Sequence, residues 1–266
     1  MVALSIVVIG ILGWAAARMI PPTGAADPGL TIDRNVFTST RTLLTDLKTD
    51  RRIWQGALIT SWFWLVGAVV LALLQTLIPR ALNGAPEVYT LALFAFAVSV
   101  AAGSIVAAKA SKHRPNLALV PIGALLMAVF LLDLAWLTAT LEPAAEPLAI
   151  SGVLASFAGI RMLVDLAGIA FAGGLYIVPS FAAVQAWSPV DHQARVIAGC
   201  NVTSAAFMTV AALIIAALQF AGTPLWMLYA GLGAADVAAL VLVLRAWGVD
   251  GVKDVGSFLF STFFDL

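Results

Sequence analysis

Four ionisable side chains stand inside long apolar stretches of this chain: Asp133, Arg161, Asp165 and Asp236. A charge at membrane depth costs several kcal/mol unless it is paired or hydrated, so such groups are functional candidates by default. Arg161 and Asp165 are four residues apart and share a helix face. Asp133 lies at a similar depth on the preceding predicted helix and can share the arginine. One reading is an ion pair that fixes helix packing. The other is an outer gate or head-group site, in which Arg161 faces a phosphate and the two carboxylates balance it. Asp236 ends the run Gly231-Leu-Gly-Ala-Ala-Asp236, whose small residues permit close helix approach. A hydrogen bond to a neighbouring helix is its favoured role, with proton coupling as the alternative.

Three further groups invite attention. The run Gly173-Gly174-Leu-Tyr176-Ile-Val-Pro179 combines flexible glycines with a proline that removes a backbone hydrogen bond. A bend there, with Tyr176 and Gln185 nearby, suits a helix that rocks. Ser61-Trp62-Phe63-Trp64 is either an aromatic platform for lipid or an ordinary interfacial belt. Asn201, Thr203 and Ser204 either line a cavity or bond between helices.

Several chemistries are excluded. A retinal protein needs a lysine in its last helix, and 225–244 contains none. The Gly-x-Gly-Asp and Tyr-Asp motifs of intramembrane aspartyl proteases are missing, since Asp133 follows Leu132 and Asp236 follows Ala235. The His-x4-Asp signature of acyltransferases fails at both histidines: His113 leads to Ala118 and His192 to Ile197. No Gly-x4-Gly-Lys-Ser/Thr phosphate loop occurs. The single cysteine, Cys200, permits neither an intrachain disulfide nor a multi-cysteine zinc site. No catalytic residue, cofactor or metal is expected. Charged residues are 11% of the chain and sum to zero, too few for a nucleic-acid partner.

The elements that hold these residues follow from hydropathy. Apolar residues make up 62% of the chain and the mean hydropathy is +1.03, which the surface of a soluble domain does not tolerate. The expected fold is all-α, a polytopic membrane protein with about seven transmembrane helices. The spans are Val2–Ile20, Ile53–Ile78, Tyr89–Ala108, Leu117–Thr138, Arg161–Ala186, Ala198–Ala221 and Pro224–Arg245. The first is too long for a signal-peptide core and lacks a basic leader. Arginines and lysines concentrate on one side, at Arg18, Arg34, Arg41, Lys48, Arg51, Arg52, Lys109, Lys112, Arg114, Arg195, Arg245 and Lys253. The other side holds Arg80 and Arg161 beside Glu87, Glu142 and Glu146. The basic side is therefore cytoplasmic, the N-terminus outside and the C-terminus inside.

Four segments result: a lone helix over 1–20, a cytoplasmic loop over 21–52, a six-helix bundle over 53–245 and a cytoplasmic tail over 246–266. The loop begins with chain breakers and is expected to end in an amphipathic helix over 38–52 with Leu43, Leu44 and Leu47 on one face. The tail carries Phe258, Phe260, Phe263 and Phe264, and is expected to lie at the interface or to open a further domain.

Three phrases resemble the bacterial lysophospholipid transporter family of the major facilitator superfamily. They are Ile59-Thr-Ser-Trp-Phe-Trp-Leu-Val-Gly-Ala68, Leu119-Val-Pro-Ile-Gly-Ala124, and Gly173-Gly-Leu-Tyr-Ile-Val-Pro179 running through Gln185 to Arg195-Val-Ile-Ala198. The likeness covers about 52–212. It departs at Gly199-Cys200-Asn201, where a pair of asparagines is expected. Some members of that family are fused to a phospholipid acyltransferase and an acyl-acyl-carrier-protein synthetase.

The resemblance implies a sixth helix, an inter-half loop and helices seven to twelve, with five further helices preceding them. It also implies lysophospholipid transfer from the outer to the inner leaflet of the inner membrane for reacylation. The implied partners are lysophospholipid, membrane lipids, an N-terminal half-bundle and a fused or separate acyltransferase. Arg161, Asp165, Asp133, Trp62, Trp64, Tyr176, Gln185 and Asn201 would then serve substrate binding or gating. Gly173, Gly174 and Pro179 would form a hinge, and Asp236 a coupling site. A drug or metabolite exporter of the same superfamily and a membrane anchor for an acyltransferase are the alternatives.

Overall fold

The computed structural model describes residues 2–21, 35–111, 114–190 and 192–264, with side chains between 4 and 248. The breaker-rich stretch at 22–34 and the tail side chains, phenylalanines included, lie outside these. The chain divides into two units, 1–36 and 37–266. In the first, α1 (Val2–Arg18) is a 17-residue apolar helix, with Arg18 stacked 5.1 Å over the Trp14 ring. At 1.5 Å per residue it is about 25 Å long, short of a hydrocarbon core of about 30 Å.

The second unit holds six helices long and apolar enough to cross a membrane. They are α3 (Arg51–Thr76), α4 (Pro86–Ser111), α5 (Leu119–Thr140), α7 (Phe157–Trp187), α8 (Gln193–Phe220) and α9 (Leu225–Phe264). The protein is thus an all-α, multi-pass membrane protein whose long spans number six among the described residues, against the seven expected. Two short helices, α2 (Val36–Thr49) and α6 (Ile150–Ala155), complete the set. No strand occurs among the described residues.

Helix ends follow local chemistry. Asp50 caps α3, accepting from the amides of Arg52 at 2.8 Å and Ile53 at 3.3 Å. Beyond Thr76 the helix widens into a π turn over Leu77–Ala81, where Pro79 can donate no backbone hydrogen bond. Ser156 caps α7 by accepting from Gly159 at 3.0 Å. Gly222, at φ 78°, closes α8 in a Schellman motif: its amide bonds Gln219 and that of Thr223 bonds Leu218. The last helix does not stop at the predicted Arg245 but continues to Phe264, so the tail extends α9 instead of forming a separate element.

The helices α3, α7, α5 and α9 close a ring, with α8 attached through α3 and α4 through α7. The ring is loosest between α3 and α9. Within an 18-residue apolar stretch of α7, 61% of residues are buried, against 17% in those of α4 and α8, which makes α7 the packing centre. Glycines set its crossings. A Cβ at Gly174 would stand 2.6 Å from the Ser104 nitrogen and the Val100 oxygen of α4. One at Gly103 would collide with the Phe171 carbonyl, and one at Gly123 would lie 2.8 Å from the Ala172 oxygen. Backbones therefore meet directly, the small-residue packing that apolar solvent favours.

The amphipathic helix expected over 38–52 is α2 over 36–49. Its Leu47 is buried beside Ile53, Ala57, Val184 and Cys200, under Gly199 of α8. Asp46 of α2 pairs with Arg195 of α8. Its leucine face thus docks on the bundle, with Leu43 and Leu44 half-buried.

Candidate functional site

The Ser156 cap of α7 places the charged cluster. Ser156 starts α7 so that Arg161 sits one turn in, facing Asp133 two turns before the end of α5. Arg161 Nε donates to Asp133 Oδ2 at 2.9 Å, and its Nη2 donates to Asp133 Oδ1. This is a fork, the strongest arrangement for that pair. Side-chain exposures of 27% and 38% leave it partly accessible. Asp165, one turn deeper, is 2% exposed, and its Oδ2 has no hydrogen-bond partner. The arginine therefore joins two helices through Asp133, and the i,i+4 spacing to Asp165 does not determine its partner. The fork ties α5 to α7, as a packing role requires.

A second polar group lies near mid-depth. The Trp62 indole N–H of α3 donates to Asp236 Oδ1 of α9 at 2.5 Å. Asp236 is fully buried, and its Oδ2 has no partner. Tyr176 of α7 is also fully buried with its hydroxyl unpartnered. Of the two glycines before Asp236, Gly233 makes the close approach, a Cβ there lying 2.9 Å from Leu132, while Gly231 faces open space. Replacing Trp62 with phenylalanine removes this donor from Asp236 and is expected to destabilise the protein by about 1–3 kcal/mol. Adding Asp236→Leu should recover much of that loss, because both polar partners are then gone. Thermal unfolding of the two variants in detergent checks this.

The remaining predicted residues scatter. Trp64 is 48% exposed and meets Phe63 edge-on at 5.4 Å, whereas Trp62 points inward. Two residues apart is about 200° around a helix, so Trp62 and Trp64 form no single platform. Gly173 and Gly174 lie in tight packing, Gly173 against the Phe63 ring, and α7 runs unbroken through buried Pro179. Gln185 is half-buried near the other end of α7, where its carbonyl accepts from Gln193 Nε2 at 3.1 Å. Asn201 is exposed on α8. Its neighbour Ser204 bonds Ser61 of α3 at 3.1 Å.

Cavities reveal residues that sequence reasoning passed over. One of about 610 Å³ lies between α3, α8 and α9, walled by Leu58, Phe207, Ala238 and Leu242, with Arg51 and Arg245 lining it as well. Trp62 and Ala235 separate it from one of about 340 Å³ farther along the same helices. A more polar pocket of about 740 Å³ lies where α2 meets α3 and α8, lined by Asp46, Asp50, Arg51, His192 and Arg195. The available signal was the run of alanines in α9 (Ala234, Ala235, Ala238, Ala239), which leaves a trough beside bulkier neighbours. Among the described residues, no three His, Cys, Asp or Glu side chains gather closely enough to hold a metal ion.

Compared with known protein families, with curated proteins and with solved structures, the chain matched none.

Proposed function

We propose that this chain belongs to a membrane transporter that moves lysophospholipids between leaflets for reacylation. One observation carries the transport reading. Within the membrane bundle, the buried oxygens Asp165 Oδ2, Asp236 Oδ2 and Tyr176 Oη have no hydrogen-bond partner. Such groups are costly in an apolar interior and serve no purpose in a passive anchor. The choice of substrate rests on the three family-like phrases. The asymmetry of lysines and arginines supports a bacterial inner membrane with the N-terminus outside and the C-terminus cytoplasmic. The chain itself is not an enzyme on this reading, and any acyltransferase is a partner or a fused domain.

Spheroplasts expressing the gene that encodes this chain should take up and reacylate labelled lysophospholipid faster than spheroplasts without it. Equal rates overturn the reading. The buried, unpartnered Asp236 Oδ2 favours a second one, proton-coupled export of a small solute. Uptake that is unchanged in Asp236→Asn counts against it, and solute efflux abolished by that substitution supports it.

A further inference from the structure

The groove between α3, α8 and α9 runs along the loosest seam of the bundle. Its walls are apolar, from Leu58 and Ile59 on α3, Phe207 on α8, and Ala238 and Leu242 on α9. Leu242 is 63% exposed, so the groove opens sideways into the bilayer and not only at its end. At one end stand Arg51 and Arg245, both exposed, and neither has an ion pair among the described residues. None of the residues lining it is acidic. Gln55 follows Arg51 by one turn on the same face, adding an amide just below the two guanidinium groups.

Depth identifies the occupant. From Arg51 to Trp62 is eleven residues of α3, about 16 Å at 1.5 Å per residue, or about one leaflet of a core of about 30 Å. Trp62 lines the groove at that depth, its indole held by Asp236.

We propose that this groove is a binding site for an anionic phospholipid of the leaflet on the Arg51 side. One acyl chain lies along the alanine trough of α9 toward Trp62. The phosphate meets Arg51 and Arg245, whose planar forks suit phosphate oxygens. Charge complementarity selects an anionic head group over a zwitterionic one. The site stands whether or not the chain transports lysophospholipid, because it rests on the seam and on the two arginines.

The test uses the full 266-residue chain in vesicles containing a phosphatidylglycerol with a photoreactive acyl chain, or the matching phosphatidylcholine. Mass spectrometry should locate the phosphatidylglycerol label on the segments around Leu58, Phe207 and Leu242. Labelling there should exceed that by phosphatidylcholine roughly tenfold, as expected when two basic side chains meet one anionic head group. The double substitution Arg51→Gln and Arg245→Gln should bring the two lipids to equal labelling. Ala238→Trp, which fills the trough from an exposed position, should remove the label for both. Labelling spread evenly over all six helices, or equal labelling by the two lipids in the unsubstituted chain, overturns the proposal. So does a phosphatidylglycerol preference that survives the double arginine substitution, or labelling that survives Ala238→Trp, in a protein of unchanged helicity.

Discussion

Gly103→Leu should prevent stable packing of α4 on the bundle. A Cβ at this position collides with the Phe171 carbonyl, and the reciprocal Gly174 already lies against α4 backbone. Nothing flexible can give way, because the obstacles are main-chain atoms. Only 17% of the 18-residue apolar stretch of α4 is buried, so this crossing supplies much of what attaches it. Overpacking a well-fitted core costs about 1–3 kcal/mol when side chains can shift, and a backbone obstacle places the cost at or above that range. Unfolding in mixed detergent micelles should show a loss of at least about 3 kcal/mol. Gly67→Ala is the control: its Cβ meets nothing, and removing a helix-interior glycine should leave stability equal or up to about 1 kcal/mol higher. Equal stability of Gly103→Leu and the unsubstituted protein would show that this close crossing does not hold α4.

Arg161→Gln should destabilise the protein by about 1–2 kcal/mol, and most of that loss should disappear when Asp133 is also replaced by asparagine. The arginine forks onto Asp133 across the α5–α7 contact, while Asp165 lies buried one turn below. Removing the cation leaves two carboxyl groups in an apolar setting, and partial exposure of the pair keeps the cost below that of a deeply buried one. Arg161→Lys should recover little, since an ammonium cannot reproduce the fork. Chemical unfolding of the single and double variants gives the coupling directly. The sequence left both a packing ion pair and a head-group site open for Arg161, and this coupling separates them. A variant as stable as the unsubstituted protein yet inactive in lysophospholipid uptake would return the arginine to a phosphate-binding role.

The contrast between these two sites shows how far the sequence reaches. Each of the six long helices was legible as an apolar run of membrane length. Partners were harder. The sequence put Arg161 and Asp165 on one face and left Asp133 able to share the arginine; only the crossing of α5 and α7 shows that Asp133 takes the fork. The glycines at 173 and 174 carry the same composition whether they bend a helix or let another approach it, and only the presence of α4 and Phe63 separates the two cases. Trp62 and Trp64 looked like one surface until the rotation of α3 sent one to Asp236 and the other outward.

What the sequence determined by itself is the membrane environment, the positions of the spans and the few costly charges within them. Hydropathy is a sum over neighbouring residues and needs no knowledge of the fold. What only the tertiary structure decided is which face of each helix is buried, which charge finds which partner, and where the alanines of α9 leave a groove open. In a bilayer the lipid-facing and protein-facing sides of a helix are both apolar, so no periodicity of polarity marks the inner side. Helix rotation and crossing are settled by close packing between segments far apart in the chain.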